Sequence, residues 1–259
     1  MSGRVVAIHG FTQTGRSWPP QLVERIRAGG YEVLTPDQAG HGTARNVRAN
    51  LLEGAAALAE LGPATYVGYS MGGRLALHLA VHHPAAVEGL VLIGATAGIE
   101  DDRERAERKL ADDKLAATIQ RDGVDAFLVR WLADPMFASL PAEASGIEYR
   151  RENPPEGLAA SLRLMGTGTQ QPLWSRLGQV QVPVQLLVGE LDQKFTALAL
   201  RMADEWGGPT RVEVVRNAGH AVHLEQPVEV ASRIAQFLRD TRRDAGHDDT
   251  TSARASTAP

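Results

Sequence analysis

Ala64-Thr65-Tyr66-Val67-Gly68-Tyr69-Ser70-Met71-Gly72-Gly73 is the stretch on which the reading of this chain turns. Residues 64–67 form a short apolar run that predicts a buried strand. Residues 71–83 carry Leu75, Leu77, Leu79 and Ala80 as apolar positions and stop at Pro84, which predicts an amphipathic helix. A strand that turns at once into a helix crowds its own backbone, and glycines at 68 and 72 remove the Cβ atoms that would clash there. Gly73 relaxes the turn further. The serine between the glycines is placed on a forced turn, the arrangement of a nucleophile elbow. A bare Gly-x-Ser-x-Gly run is a weak signal, and the strand–turn–helix setting is what makes it specific.

Outward from the elbow, strands are predicted at residues 4–9, 31–35, 64–67 and 89–93, with helices between them at 18–28, 47–61 and 71–83. Gly29-Gly30 suits a left-handed cap at the end of the first helix. The alternation resumes with a strand at 184–188, a helix near 195–205, a strand at 211–215 and a final helix over 227–239. This is the pattern of an α/β protein with a mostly parallel sheet flanked by helices. Between the two blocks the strand signal vanishes, and residues 101–120, 124–132 and 158–165 read as charged helical segments. The expected organisation is therefore a core of residues 1–95 and 175–240, with residues 96–174 as an inserted helical cap over the sheet's carboxyl edge, where ligands bind in open α/β sheets. Residues 241–259 are too polar to bury anything and are expected to form a disordered tail.

Composition narrows the function. With 259 residues the chain can bury a large core and still carry an insertion. A net charge of -4 gives no basic field for a phosphate backbone, so no nucleic-acid partner is expected. The absence of cysteine removes disulfides, thiolate catalysis and thiolate metal sites. The first apolar run, residues 5–8, is too short for a signal-peptide core or a membrane span, and no longer run follows; a cytoplasmic location without membrane contact is the expectation. Oligomeric state is not legible.

A serine hydroxyl needs a base within hydrogen-bond reach, and the base needs an acid to fix its tautomer. In chain order after Ser70, Asp192 follows the strand at 184–188 and His220 follows the strand at 211–215, so both fall on loops at the serine's edge of the sheet. Glu190 is the rival acid, but a side chain nearer the strand end has less reach. His223, beside Glu225, suits packing or capping; His82 and His83 close the serine helix, where donors suit the negative end of the dipole. His41 reads as a turn residue, with lining of the site as the alternative. For an oxyanion hole, one donor is the N–H of Met71 at the positive end of its helix. The second is the N–H of Phe11, which Gly10 would turn towards the same spot.

His9-Gly10-Phe11, Gly68 to Gly73, Asp192 and Gly219-His220, in this order, resemble the α/β-hydrolase fold over residues 4–238. A closer resemblance lies in Arg74, Arg105-Ala106-Glu107-Arg108, Trp131 with Pro135-Met136-Phe137-Ala138-Ser139-Leu140, Gly157-Leu158-Ala159, Met165-Gly166-Thr167-Gly168-Thr169-Gln170 and Gly189-Glu190-Leu191-Asp192-Gln193-Lys194-Phe195. These pieces resemble the 2-succinyl-6-hydroxy-2,4-cyclohexadiene-1-carboxylate synthases of menaquinone biosynthesis. That resemblance implies a cofactor-free, metal-free lyase that eliminates pyruvate from an enolpyruvyl cyclohexene carrying three carboxylates. Ser70, polarised by His220 and Asp192, would remove a ring proton, and the Phe11 and Met71 amides would hold the enolate oxygen. It also implies Arg74, Arg108, Arg151, Tyr69 and Trp131 as substrate-binding residues, with Arg150 competing for the place of Arg151.

Charge agrees with an anionic small-molecule substrate, because three carboxylates in a water-poor site need fixed cations and arginine's planar fork suits them. The opposing reading is a solvated helix face, since Asp101, Asp102, Glu104, Glu107, Asp112 and Asp113 could pair with the cap's bases. Two departures from the family stand out: the leading hairpin that usually extends such a sheet is expected to be missing or very short, and Leu132 stands where some members have a second aromatic. The alternative functions are a carboxylesterase or carbon–carbon bond hydrolase using the same triad, and a ligand receptor, whose usual mark is a broken triad.

Overall fold

The computed structural model describes residues 3–255, with side-chain surroundings given through residue 243. Strands β1 (Arg4–Ile8), β2 (Glu32–Leu34), β3 (Ala64–Tyr69), β4 (Val87–Ile93), β5 (Val184–Gly189) and β6 (Thr210–Val215) form one sheet in the order β2-β1-β3-β4-β5-β6. Every pairing is parallel. The chain starts at β1, steps outward to β2, then returns across β1 to β3, so the strand order reverses beside β1. Crevices at such reversals, at the carboxyl ends of the strands, are where these sheets take ligands.

Alternate residues of each central strand feed opposite faces. Val6, Ile8, Tyr66, Leu90 and Leu92 join a core cluster with Leu51 and Ala55 of α2 (Leu51–Ala59) and Leu75 and Leu79 of α3 (Met71–His82). Val5, Ala7, Val67, Val91 and Ile93 face the other way, onto Leu22 and Ile26 of α1 (Pro20–Ala28) and the first turns of the last helix. Helix α1 ends as its glycines require: Gly30 takes φ 82°, and the N–H groups of Gly29 and Gly30 bond the carbonyls of Ile26 and Arg27. Helix α2 starts later than the hydrophobic pattern alone suggests, because Asn50 and Glu53 close a reciprocal capping box at Leu51.

Between β4 and β5 lie α4 (Asp102–Leu132), α5 (Ile147–Arg151) and α6 (Pro155–Met165). Helix α4 breaks at Gly123 (φ 79°, ψ 170°), which divides it into the two helical segments read from the sequence. The ends of this insertion are strapped together: Leu173 N–H bonds Ala97 O at 2.7 Å and the Trp174 indole N–H bonds Gly98 O at 2.8 Å. Helix α7 (Gln193–Glu205) follows β5, and the short α8 (Val222–Glu225) and long α9 (Pro227–Ala255) follow β6. Helix α9 extends to Ala255, into the stretch expected to form a tail from residue 241. No proline interrupts it between Pro227 and Ala255. Residues 256–259 lie outside the described residues. No described helix is long and apolar enough to cross a membrane.

Burial pushes the pKa of His9 down to about 4 and those of His41, His78 and His223 down to about 3. Each is neutral in the folded chain at pH values where the unfolded chain, titrating near 6.5, binds a proton. The unfolded state then holds more protons, so stability falls as pH drops below about 6.5 and keeps falling until the folded-state values are reached. Denaturant midpoints measured at pH 7.5 and pH 5 should show the loss, and equal midpoints would contradict it. His78 is 2 % exposed, and neither ring nitrogen has a hydrogen-bond partner among the described residues. His78→Leu should therefore raise stability by about 1 kcal/mol or more and flatten this pH dependence.

Candidate active site

Ser70 sits between β3 and α3 with φ 50° and ψ -107°, a strained backbone for a residue with a Cβ. Its N–H bonds Ile93 O at 2.8 Å, which ties the turn to the end of β4. The flanking glycines are required by close approach. A Cβ on Gly68 would lie 2.5 Å from Gly72 O, and one on Gly72 would lie 2.5 Å from His9 O. The first turn of α3 is thus seated directly against the end of β1.

His220 arrives on the loop after β6 and Asp192 on the loop after β5. The imidazole Nε2 is 3.2 Å from Ser70 Oγ, and Nδ1 is 2.7 Å from Asp192 Oδ2. The ring is 3 % exposed. With Nδ1–H donating to the carboxylate, Nε2 is left to accept from the serine, which is the tautomer a base needs. The second oxygen of Asp192 accepts the N–H of Phe195 at the start of α7, fixing the carboxylate. Glu190 does not touch the histidine ring; its Oε2 accepts the N–H of Asn217, on the turn that leads to His220.

A residue that the sequence reading passed over holds this loop. Glu225 Oε2 accepts Gly219 N–H at 2.7 Å and its Oε1 accepts Ala221 N–H at 3.0 Å, so one carboxylate grips the backbone on both sides of His220. The only signal for it in the sequence was its place five residues after the histidine. His223 packs between the rings of Trp18 and Tyr69, at centroid distances of 5.0 and 4.3 Å, as a buried neutral side chain.

Met71 opens α3, so its N–H belongs to the first turn, which has no intrahelical acceptor. Phe11 lines the same cavity as Ser70 and Met71. The route to that placement differs from the expectation for Gly10. Gly10 is not in a left-handed conformation; it is glycine because a Cβ would lie 2.6 Å from the Tyr69 ring. The left-handed residue is Thr12, with φ 68°. His41 stands behind this loop, fully buried, and does not line the cavity.

The cavity, about 820 Å³, extends from Ser70 and His220 beneath the insertion. Arg74, Arg108 and Arg150 line it, together with Tyr69 and Trp131. Arg74 is 5 % exposed and anchored by one guanidinium N–H on Met165 O at 2.7 Å. Burial, then the neighbouring charge of Arg108, lower its pKa to about 10, which leaves it cationic at neutral pH. Arg108 is half-exposed, with its Nε on Asp112 at 2.9 Å. Trp131 packs edge-on to Phe11 at 5.5 Å and beside Phe127 at 5.8 Å, so it serves the core and the cavity wall together. Tyr69 packs against the His220 ring at 5.4 Å with the planes tilted by 51°, and burial raises its phenol pKa.

Arg151 does not reach the cavity. It is exposed and paired with Asp125 at 2.7 Å, whereas Arg150 is 1 % exposed and lines the cavity wall. Consecutive helical residues point about 100° apart, and here α5 turns Arg150 inward and Arg151 outward. Burial lowers the pKa of Arg150 to about 10. Lys194 and Arg201 also line the cavity; Arg201 lies over the Trp174 ring at 3.8 Å and pairs with Glu100 and Glu205.

Comparison with known proteins gives the family. Residues 5–233 match the model of the alpha/beta hydrolase family. A Bacillus subtilis (strain 168) protein provisionally named 2-succinyl-6-hydroxy-2,4-cyclohexadiene-1-carboxylate synthase is 38 % identical over 254 residues, covering 92 % of this chain and 90 % of its own. The Salmonella paratyphi C (strain RKS4594) protein named for the same synthase is 33 % identical over 244 residues, covering 91 % and 93 %. The solved structure of MenH from S. aureus superposes with a TM-score of 0.87 at 30 % identity, over 93 % of this chain and 95 % of that one. The chain belongs to the α/β-hydrolase family and, within it, is similar to the 2-succinyl-6-hydroxy-2,4-cyclohexadiene-1-carboxylate synthases.

Proposed function

We propose that this chain is a carbon–oxygen lyase of menaquinone biosynthesis, converting 2-succinyl-5-enolpyruvyl-6-hydroxy-3-cyclohexene-1-carboxylate to 2-succinyl-6-hydroxy-2,4-cyclohexadiene-1-carboxylate and pyruvate. The observation that carries this reading is a Ser-His-Asp arrangement opening on a cavity with Arg74, Arg108, Arg150 and Arg201 in its wall. Ester hydrolysis of an apolar substrate needs the first feature and has no use for the second. The helical insertion acts as the cap that brings Arg108 and Arg150 over the sheet edge, while Arg74 comes from the sheet side. Tyr69 and Trp131 shape the wall.

In the proposed reaction Ser70 Oγ takes the ring proton next to the succinyl carbonyl as its own proton passes to His220 Nε2. Asp192 stabilises the imidazolium that forms. Negative charge develops on the carbonyl oxygen and is met by the N–H groups of Phe11 and Met71, a stabilisation worth about 3 to 4 kcal/mol per well-placed donor. The ring double bond shifts, and the bond from ring carbon to enolpyruvyl oxygen breaks with its electron pair on oxygen. The departing enolate receives the proton from His220 and becomes pyruvate, and Ser70 retains the proton it abstracted. The chain returns to its starting state, with no water consumed and no cofactor required. The arginines bind substrate and product carboxylates alike, so they serve chiefly affinity and orientation.

Purified protein offered the enolpyruvyl substrate should release pyruvate, measured by coupled reduction, much faster than it cleaves a nitrophenyl ester. Rapid ester cleavage with no pyruvate would replace this reading with that of an esterase. Ser70→Ala should lower kcat about 10³-fold or more with the fold retained, and near wild-type turnover would remove the serine from the reaction. Arg150→Ala should lower kcat/KM about 30-fold or more, while Arg151→Ala, at an exposed ion pair, should stay within about threefold of wild type. The reverse ranking would return the site to Arg151.

A further inference from the structure

Thr12 is the next residue after the proposed oxyanion donor Phe11, and it combines two unfavourable features: it is fully buried, and it is a β-branched residue at φ 68°. A conformation of this kind persists only where its surroundings over-determine it. Here they do. Each of its polar groups is held by a different side chain. The N–H donates to His41 Nε2 at 3.3 Å, the carbonyl accepts Asn153 Nδ2 at 2.7 Å, and Oγ1 accepts a guanidinium N–H of Arg150. His41 can accept because its other nitrogen, Nδ1, lies 3.1 Å from Ala39 O and carries the proton there.

The three holders come from different parts of the chain. His41 lies on the loop after β2, Arg150 on α5, and Asn153 just beyond α5. Asn153 is 2 % exposed and fully committed: its amide nitrogen also bonds Arg150 O at 3.1 Å, and its Oδ1 accepts Gly42 N–H at 2.8 Å. It therefore ties the insertion, the loop after β2 and the loop after β1 at one point. Arg150 completes the link with a second, longer contact to Phe11 O at 3.5 Å and an anchor of its Nε on Ser145 O at 2.8 Å.

We infer that Asn153 and His41 are positioning residues for the oxyanion hole: by fixing Thr12 in its left-handed conformation they aim the Phe11 N–H, and through Arg150 they couple that aim to the helical insertion. This rests on the role proposed above for Phe11, but not on which of the two reactions the serine performs, since ester hydrolysis needs the same donor. A donor displaced by a fraction of an ångström loses transition-state stabilisation while the substrate's carboxylates still find their arginines. The signature is a fall in kcat with KM held.

The test uses Asn153→Ala and Asn153→Asp in the full chain. The aspartate keeps the acceptor for Gly42 N–H and loses the donor to Thr12 O and to Arg150 O, so it covers the case in which the alanine variant fails to fold. Both should lower kcat about 10- to 100-fold with KM within about threefold, on pyruvate release or, if the wild type proves to be an esterase, on the nitrophenyl ester. In parallel, hydrogen exchange at the backbone amides of residues 10–13, followed by mass spectrometry without any substrate, should accelerate in both variants relative to the rest of β1. A kcat within twofold of wild type, a loss confined to KM, or unchanged exchange at these amides would each overturn the inference. A wild-type chain that releases no pyruvate would overturn the lyase reading instead, and the exchange measurement would still decide this one.

Discussion

Everything in the site depends on how closely the first turn of α3 approaches the end of β1. Gly68 and Gly72 have no room for a Cβ, and the atoms in the way are main-chain atoms, including His9 O and Gly72 O. Main chain cannot rotate aside as a side chain can, so the approach is fixed by the fold itself. It places Ser70, the N–H of Met71 and the loop bearing Phe11 around one corner of the cavity. The strain at Ser70, φ 50°, is balanced by that packing and by the bond from its N–H to Ile93 O.

Around that corner the electrostatics divides into two kinds of group. Asp192 and Glu225 are acids that face the His220 loop: one accepts from the imidazole, the other from the main chain on either side of it. Arg74, Arg108 and Arg150 are cations in the cavity wall, each with a guanidinium nitrogen bonded to protein. Burial raises the cost of charge on Arg74 and Arg150 and lowers the pKa of each to about 10.

Much of this was legible in the residues. The elbow, the order of Ser70, Asp192 and His220, and the parallel sheet follow from local patterns of glycine, apolar period and turn, all of which act over a few residues. What was not legible depends on contacts across the chain. Choosing between Arg150 and Arg151 requires the rotation of a five-residue helix about its axis, which no period in so short a segment reveals. Thr12 looks like an ordinary loop residue until its partners from residues 41, 150 and 153 are seen around it. Gly10 read as a hinge and is instead a gap for the Tyr69 ring, a distinction that only the neighbouring strand can make.

The strap between residues 96–98 and 170–174 bears on how the chain reaches this structure. Strands β4 and β5 are sheet neighbours separated by some ninety residues, and Leu92 pairs with Leu186. Closing so long a loop in one step costs chain entropy that grows with the logarithm of its length, and such distant pairings slow folding. Bonds that join the two ends of the insertion, with α4 packed on α6 inside it, shorten the effective loop to the few residues outside the strap. The insertion can then assemble from its own nearer contacts and deliver β5 to the edge of β4 with its search largely finished.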